Sequence, residues 1–167
     1  MIIAQTERLI LRQFELNDAE FLFHLNSNPE VINYTGDPPF DSVTEARNFI
    51  ANYKEYEKNG FGRWICVLKS SNRAIGWCGL KKHDEGYVDL GFRFLQEYWG
   101  RGFATESALG CVQYAFSKIG LTEIIGRASL QNEASIRVLK KIGMSFLKNA
   151  PCEGIEDSVY FSVSKNL

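Results

Sequence analysis

The chain alternates short apolar runs of period two with longer runs whose apolar positions recur every three or four residues. Residues 7–12, with Leu9, Ile10 and Leu11 at their centre, predict a short strand. Leu16-Asn17-Asp18-Ala19-Glu20-Phe21 then has the form of a capping box, in which Asn17 caps, Glu20 reaches back and Leu16 staples onto Phe21. The helix it opens runs to about Leu25 and ends before Asn28-Pro29. Residues 31–40, with Gly36 and Pro38-Pro39, read as a loop. Ser42 and Glu45 form a second box. Ala46, Phe49, Ile50 and Tyr53 give the helix after it a buried face as far as Gly60. Residues 64–68 and 74–80 flank the turn-forming Ser70-Ser71-Asn72-Arg73 and predict a hairpin, and Asp84-Glu85-Gly86 is the next turn. Residues 87–95 form the central strand, with Val88, Leu90, Phe92 and Phe94 on one side and Tyr87, Asp89, Gly91 and Arg93 on the other. From Ala104 to Ile119 an apolar stripe predicts a third helix, closed by Gly120. A strand over residues 123–128, a helix capped by Asn132, and strands over residues 145–148 and 158–163 complete the order β-α-α-β-β-β-α-β-α-β-β. This periodicity gives an α/β or α+β chain.

The 167 residues suffice for one domain with one core, so residues 1–167 are expected to form a single domain. A net charge of −1 argues against a nucleic-acid-binding surface across the molecule. Four widely spaced cysteines, without a C-x-x-C pair, sit mostly in apolar runs and fit a reduced, cytoplasmic protein in which each is a small buried hydrophobe. No metal-ligand spacing, signal-peptide pattern or membrane-length apolar run is found.

One stretch carries candidate chemistry: Tyr98-Trp99-Gly100-Arg101-Gly102-Phe103-Ala104-Thr105-Glu106, lying between the central strand and the third helix. Glycines let a backbone approach a ligand, and a helix start offers free N–H groups and a dipole suited to an anion. The Walker pattern fails because Gly102 is followed by Phe103 and Ala104 rather than Lys and Ser/Thr. The dinucleotide fingerprint fails because Thr105 stands where its third glycine belongs.

The stretch resembles the pyrophosphate loop, Gln/Arg-x-x-Gly-x-Gly/Ala, of the Gcn5-related N-acetyltransferase family, with Trp99, Gly102 and Ala104 at the fixed positions and Trp99 departing from Gln/Arg. The branch containing the ribosomal-protein N-terminal acetyltransferases writes its loop this way and begins much like Thr6-Glu7-Arg8-Leu9-Ile10-Leu11-Arg12. Asn132-Glu133-Ala134-Ser135 with Ile142-Gly143-Met144 matches a second family motif, Asn-x-x-Ser ending in Gly-Phe, at the expected distance downstream. Met144 replaces the Phe.

This resemblance implies an α+β fold (an α/β sandwich): a mixed, mostly antiparallel twisted sheet of about seven strands with helices on both faces. It implies an N-acetyltransferase taking the acetyl group of acetyl-CoA, without a metal, to a primary amine such as a protein N-terminus. A small-molecule amine and a non-catalytic acyl-CoA-binding sensor are the alternatives, with no nucleic-acid or membrane partner and a monomeric or homodimeric state. It further implies that coenzyme A lies where the fourth and fifth predicted strands splay. Backbone groups of Phe92, Arg93 and Phe94 would meet the pantetheine and acetyl groups there. The amides of Gly100, Arg101, Gly102, Phe103, Ala104 and Thr105 would meet the pyrophosphate, and Asn132 the pantetheine arm. Many members carry a Tyr where this chain has Leu139, so Ser135 is the candidate to stabilise the leaving thiolate. Asp89 and Glu153 are candidate general bases. Tyr34, Phe40 and Tyr53 are candidates for the acceptor wall, and the loops over residues 31–40 and 149–157 are expected to set specificity.

Overall fold

The computed structural model describes residues 1–166. Eight strands form one sheet in the order β1-β2-β3-β4-β5-β6-β8-β7. They are β1 (Ile2–Gln5), β2 (Leu9–Arg12), β3 (Arg63–Leu68), β4 (Arg73–Lys82), β5 (Val88–Phe94), β6 (Glu123–Ser129), β7 (Ser145–Asn149) and β8 (Ser158–Ser164). All neighbours are antiparallel except β5 and β6. The helices are α1 (Ala19–Ser27), α2 (Pro29–Ile32), α3 (Val43–Ala51), α4 (Glu55–Asn59), α5 (Phe103–Tyr114) and α6 (Glu133–Lys141).

Both faces of the sheet are covered. On β3, Trp64 and Cys66 join a core with Cys78, Leu90, Ala108 and Cys111 under α5, whereas Ile65 and Val67 join Leu22, Leu25, Ala46 and Ile50 under α1 and α3. A strand buried on both faces needs apolar residues at every position, which is why residues 64–68 read as a continuous run. Cys66, Cys78 and Cys111 are buried as expected, and burial pushes the thiols of Cys66 and Cys111 well up. Among the described residues no helix is long and apolar enough to cross a membrane, and no cluster of three or more His, Cys, Asp or Glu side chains could hold a metal ion.

Several local expectations are corrected. Strand β1 adds an eighth strand, paired to β2. The first box is shifted. Glu15, not Asn17, caps the turn at residues 16–18 that leads into α1, and Asp18, not Glu20, reaches back: its carboxylate accepts from Glu15 N at 2.7 Å and is gripped by the Arg12 fork at 2.8 and 2.8 Å. Leu16 is exposed and staples nothing. Residues 31 and 32, at the start of the expected loop, belong to the single turn α2, with Pro29 in its first turn and Asn28 capping it. The long second helix breaks at Asn52 into α3 and α4, and Gly60 ends α4 with φ of 78°. The Ser42 cap is as expected, its side chain accepting from Glu45 N at 3.1 Å.

Helix α6 lies close on β6 because Gly126 has no side chain. A Cβ there would stand 2.6 Å from Leu139 Cδ2 and 2.7 Å from Met144 Sδ. Gly126→Ala is therefore expected to destabilise the protein by roughly 1–3 kcal/mol through overpacking, read as a lower urea midpoint at unchanged m-value. An unchanged midpoint would show that α6 can lift off the sheet freely.

Candidate active site

The parallel pair β5–β6 is the origin of the site. Its register runs only through Asp89↔Ile125 and Leu90↔Gly126; beyond these residues the strands part. Along β5, Leu95 N bonds Ile75 O at 2.9 Å and His83 N bonds Tyr87 O at 2.9 Å, so odd-numbered residues direct their main chain at β4. Phe92 and Phe94 therefore turn theirs toward the gap left by β6. Arg93 is corrected on this ground: it lines the cavity, but its main-chain groups are committed to β4 opposite Trp77. The Phe94 carbonyl also has a partner, Trp99 Nε1 at 2.9 Å, which ties the glycine loop to the strand.

The gap opens into a cavity of about 570 Å³. On one side lie Phe92, Phe94, Gly100, Gly102, Phe103, Ala104 and Thr105; α6 contributes Ser135 with its cap residue Asn132; α2 and the turn after it contribute Glu30, Tyr34 and Thr35. Gly100 and Gly102 take φ of 73° and 82°, the left-handed region, and Gly102 is the residue from which α5 springs. Among the described residues, none of the six main-chain N–H groups of residues 100–105 donates to a protein group; the first N–H used is that of Glu106, to Gly102 O at 3.0 Å. Six orphan donors at the start of a twelve-residue helix form an anion cradle. Arg101 contributes only main chain here, since its guanidinium lies over the Tyr98 ring at 5.4 Å and it does not line the cavity.

Asn132 Oδ1 accepts from Ser135 N at 3.2 Å, the expected cap, and this leaves the Asn132 amide NH2 free to donate. The Ser135 hydroxyl has no protein partner among the described residues. Leu139 is 1% exposed and belongs wholly to the core.

Neither candidate base reaches the cavity. Asp89 lies on the opposite face of β5 from Leu90, as the alternation predicts, but that face is buried. Arg127 Nη2 and Nε bond its Oδ2 at 2.6 and 3.1 Å, His83 Nε2 stands 3.2 Å from Oδ2, and Arg63 Nη2 stands 3.0 Å from Oδ1 without an aligned hydrogen bond. Burial alone would raise the Asp89 pKa; Arg63, His83 and Arg127 outweigh it and hold the carboxyl well below its ordinary range. A carboxylate so stabilised is a poor proton acceptor. Glu153 is half-exposed and pairs with Arg127 at 3.2 Å and Lys81 at 3.7 Å. Its carbonyl lies 2.8 Å from where a Cβ on Gly36 would be, so the loops over residues 31–40 and 149–157 meet here.

The Asp89 cluster has a pH signature. Its folded pKa lies below the ordinary 3.8, so the stability it contributes is complete above about pH 4 and drains as pH falls toward the folded value. Urea midpoints of the wild-type protein should fall more steeply from pH 4 to pH 2 than those of Asp89→Asn; parallel slopes would mean that the cluster is not ionised as described.

Of the aromatic candidates for the acceptor wall, only Tyr34 lines the cavity. Tyr53 accepts from Arg63 N at 2.7 Å and packs edge-on to Phe14 and Tyr56, and Phe40 packs on the exposed Phe49; these aromatics pack on one another, away from the cavity lining. Sequence reasoning missed Glu30, Thr35, Arg137 and Lys141, which also line the cavity. The i, i+4 spacing of the last two along α6 was the available signal.

The profile of the acetyltransferase (GNAT) domain matches residues 8–145. The chain belongs to the GNAT acetyltransferase family. It is 36% identical over 147 residues to the uncharacterized N-acetyltransferase YoaA of Bacillus subtilis, covering 84% of this chain and 81% of that one. Its fold superposes with a TM-score of 0.81 on a GNAT-family acetyltransferase from Bacillus anthracis, 29% identical, covering 98% of both chains. It superposes with a TM-score of 0.80 on the spermidine N-acetyltransferase of Vibrio cholerae solved with CoA and spermine, 19% identical, covering 94% of this chain and 95% of that one. As a GNAT enzyme the protein is an amine acetyltransferase whose acetyl donor is acetyl-CoA. The orphan amides, the free Asn132 donor and the cavity between them fit that donor.

Proposed function

We propose that this enzyme acetylates a slender primary amine by direct attack on acetyl-CoA within a ternary complex. The observation that carries the reading is the row of six unpartnered N–H groups, five of them on residues that line the same cavity as Asn132 and Ser135. The amides of residues 100–105 take the pyrophosphate, and Arg137 and Lys141 draw the nucleotide phosphates. The Asn132 amide and the edge of β5 hold the pantetheine. The acetyl carbonyl lies against the Phe92 and Phe94 N–H groups, which stabilise the negative charge that develops on its oxygen.

The amine enters past Glu30, Tyr34 and Thr35. Glu30, whose carboxylate has no ion pair among the described residues, attracts the ammonium and receives its proton, directly or through water. The neutral nitrogen then bonds to the acetyl carbon, the carbon–sulfur bond breaks, and the thiolate leaves beside the Ser135 hydroxyl. A thiol is acidic enough, with a pKa near ~8.5, for a hydrogen-bond donor to suffice. Entry past Glu30, Tyr34 and Thr35 favours an amine that arrives end-on: a small molecule or a flexible chain end. The spermine-bound relative supports an acceptor of that shape.

Thermal unfolding with acetyl-CoA, coenzyme A and ATP in separate titrations tests the donor site. A ligand at about a hundred times its dissociation constant adds ~2.7 kcal/mol to native stability. Both coenzymes should raise the melting temperature and ATP should not; equal shifts with ATP would refute the assignment. Thiol release with polyamines, small monoamines and short peptides then identifies the acceptor.

A further inference from the structure

Thr6 and Arg8 take no part in the catalytic site, yet they touch the phosphate loop and the helix after it. Thr6 and Arg8 lie in the turn between β1 and β2. Thr6 Oγ1 and Arg8 N donate to Glu106 Oε1 at 2.6 and 2.7 Å, and Arg8 Nε donates to Glu106 Oε2 at 2.7 Å. Arg8 Nη1 donates to Arg101 O at 3.0 Å, and the guanidinium sits 4.1 Å over the Phe103 ring. Glu106 is the acidic residue in the first turn of α5.

Two consequences follow for an anion in the loop. In a trans peptide the carbonyl and the next N–H point in opposite directions. Holding the Arg101 carbonyl on the Arg8 side therefore aims the Gly102 N–H away from Arg8. Glu106, in turn, puts a negative charge next to the N–H groups that receive the pyrophosphate, and the Arg8 guanidinium offsets it. Burial alone would raise the Glu106 pKa; the bonds from Thr6 and Arg8 outweigh it and hold the group below its ordinary value, so the charge to be offset is fully present at neutral pH.

We propose that Arg8 is a positioning residue for coenzyme A: through the Arg101 carbonyl and the Glu106 carboxylate it orients the Gly102 N–H and neutralises the carboxylate in the first turn of the helix that receives the pyrophosphate. This rests on the loop being the pyrophosphate site. It assigns a role in donor affinity to a residue outside the cavity.

The test is calorimetric binding of coenzyme A and of pantetheine, which lacks the phosphates, to the wild type, Arg8→Ala, Glu106→Gln and the double variant. Arg8→Ala should bind coenzyme A about tenfold more weakly, while its pantetheine affinity stays within about twofold. Adding Glu106→Gln to Arg8→Ala should restore part of the lost affinity, because the uncompensated charge is gone. Glu106→Gln alone should lower the ligand-free melting temperature yet bind coenzyme A at least as tightly as the wild type. This single variant decides the matter if Arg8→Ala does not fold. Equal losses of both ligands in Arg8→Ala, no recovery in the double variant, or weaker coenzyme A binding by Glu106→Gln alone overturns the role of Arg8. A wild type that binds coenzyme A no tighter than pantetheine overturns the loop assignment itself, and the role of Arg8 with it.

Discussion

Asp89→Ala is expected to destabilise the protein by roughly 3–5 kcal/mol, the cost of removing one partner from a buried charge cluster. The side chain is 5% exposed and is approached by Arg63, Arg127 and His83. Arg127 is itself 8% exposed, and its pKa is pushed up: burial lowers it, but Asp89 leads the charges that raise it. Deleting the carboxylate leaves the guanidiniums of Arg63 and Arg127 without their shared anion, with the half-exposed Glu153 as the remaining anion at Arg127. The loss should appear as a lower urea midpoint with an unchanged m-value. Asp89→Asn, which keeps the shape, separates the anchor from the base. It should lose stability as well, but the pH dependence of kcat should keep the inflection of the wild type. A shifted or vanished inflection in a folded Asp89→Asn protein would return the general-base role to Asp89 and take it from Glu30.

The parts of this site that were legible in the sequence are local. Gly100 and Gly102 announce a turn with positive φ, the apolar stripe after them announces α5, and Asn132 with Ser135 announces a capped helix. Each signal is carried by residues close together in the chain, so backbone sterics and capping chemistry suffice to read it. What escaped is non-local. Alternation along β5 places Asp89 opposite Leu90, but it cannot say that Arg63 from β3 and Arg127 from β6 converge on it, or that the loop before β8 brings Glu153 to Arg127. The committed main chain of Arg93 follows from the pairing of β5 with β4, again a tertiary fact. The displaced cap of α1 has the same origin. Asn17 is the better cap by local rules, but Arg12 on β2 holds Asp18, which reaches back to the Glu15 N–H, from outside the helix. β1 was missed because four residues with one polar position give too short a pattern to separate from an irregular start.

Ser135→Ala is expected to lower kcat by about a hundredfold, with little change in the KM for acetyl-CoA. The asymmetry follows from where the charge is. Before reaction the sulfur is a neutral thioester, a weak acceptor that gains little from a hydroxyl. As the carbon–sulfur bond breaks, sulfur becomes anionic and the same hydroxyl becomes a charge-assisted donor. The interaction is thus made in the transition state and not in the ground state, the condition for raising kcat rather than binding. Affinity for the donor comes instead from the amides of residues 100–105, which the substitution leaves intact. Leu139 provides no substitute donor, being an aliphatic side chain sealed against Gly126 in the core. Thiol release at saturating acceptor, with acetyl-CoA varied, separates the two parameters. If both kcat and KM stay at wild-type values, the thiolate departs without help from this side chain, and water in the cavity must protonate it. If KM rises while kcat holds, Ser135 serves to bind the donor, and its contribution belongs with that of Asn132.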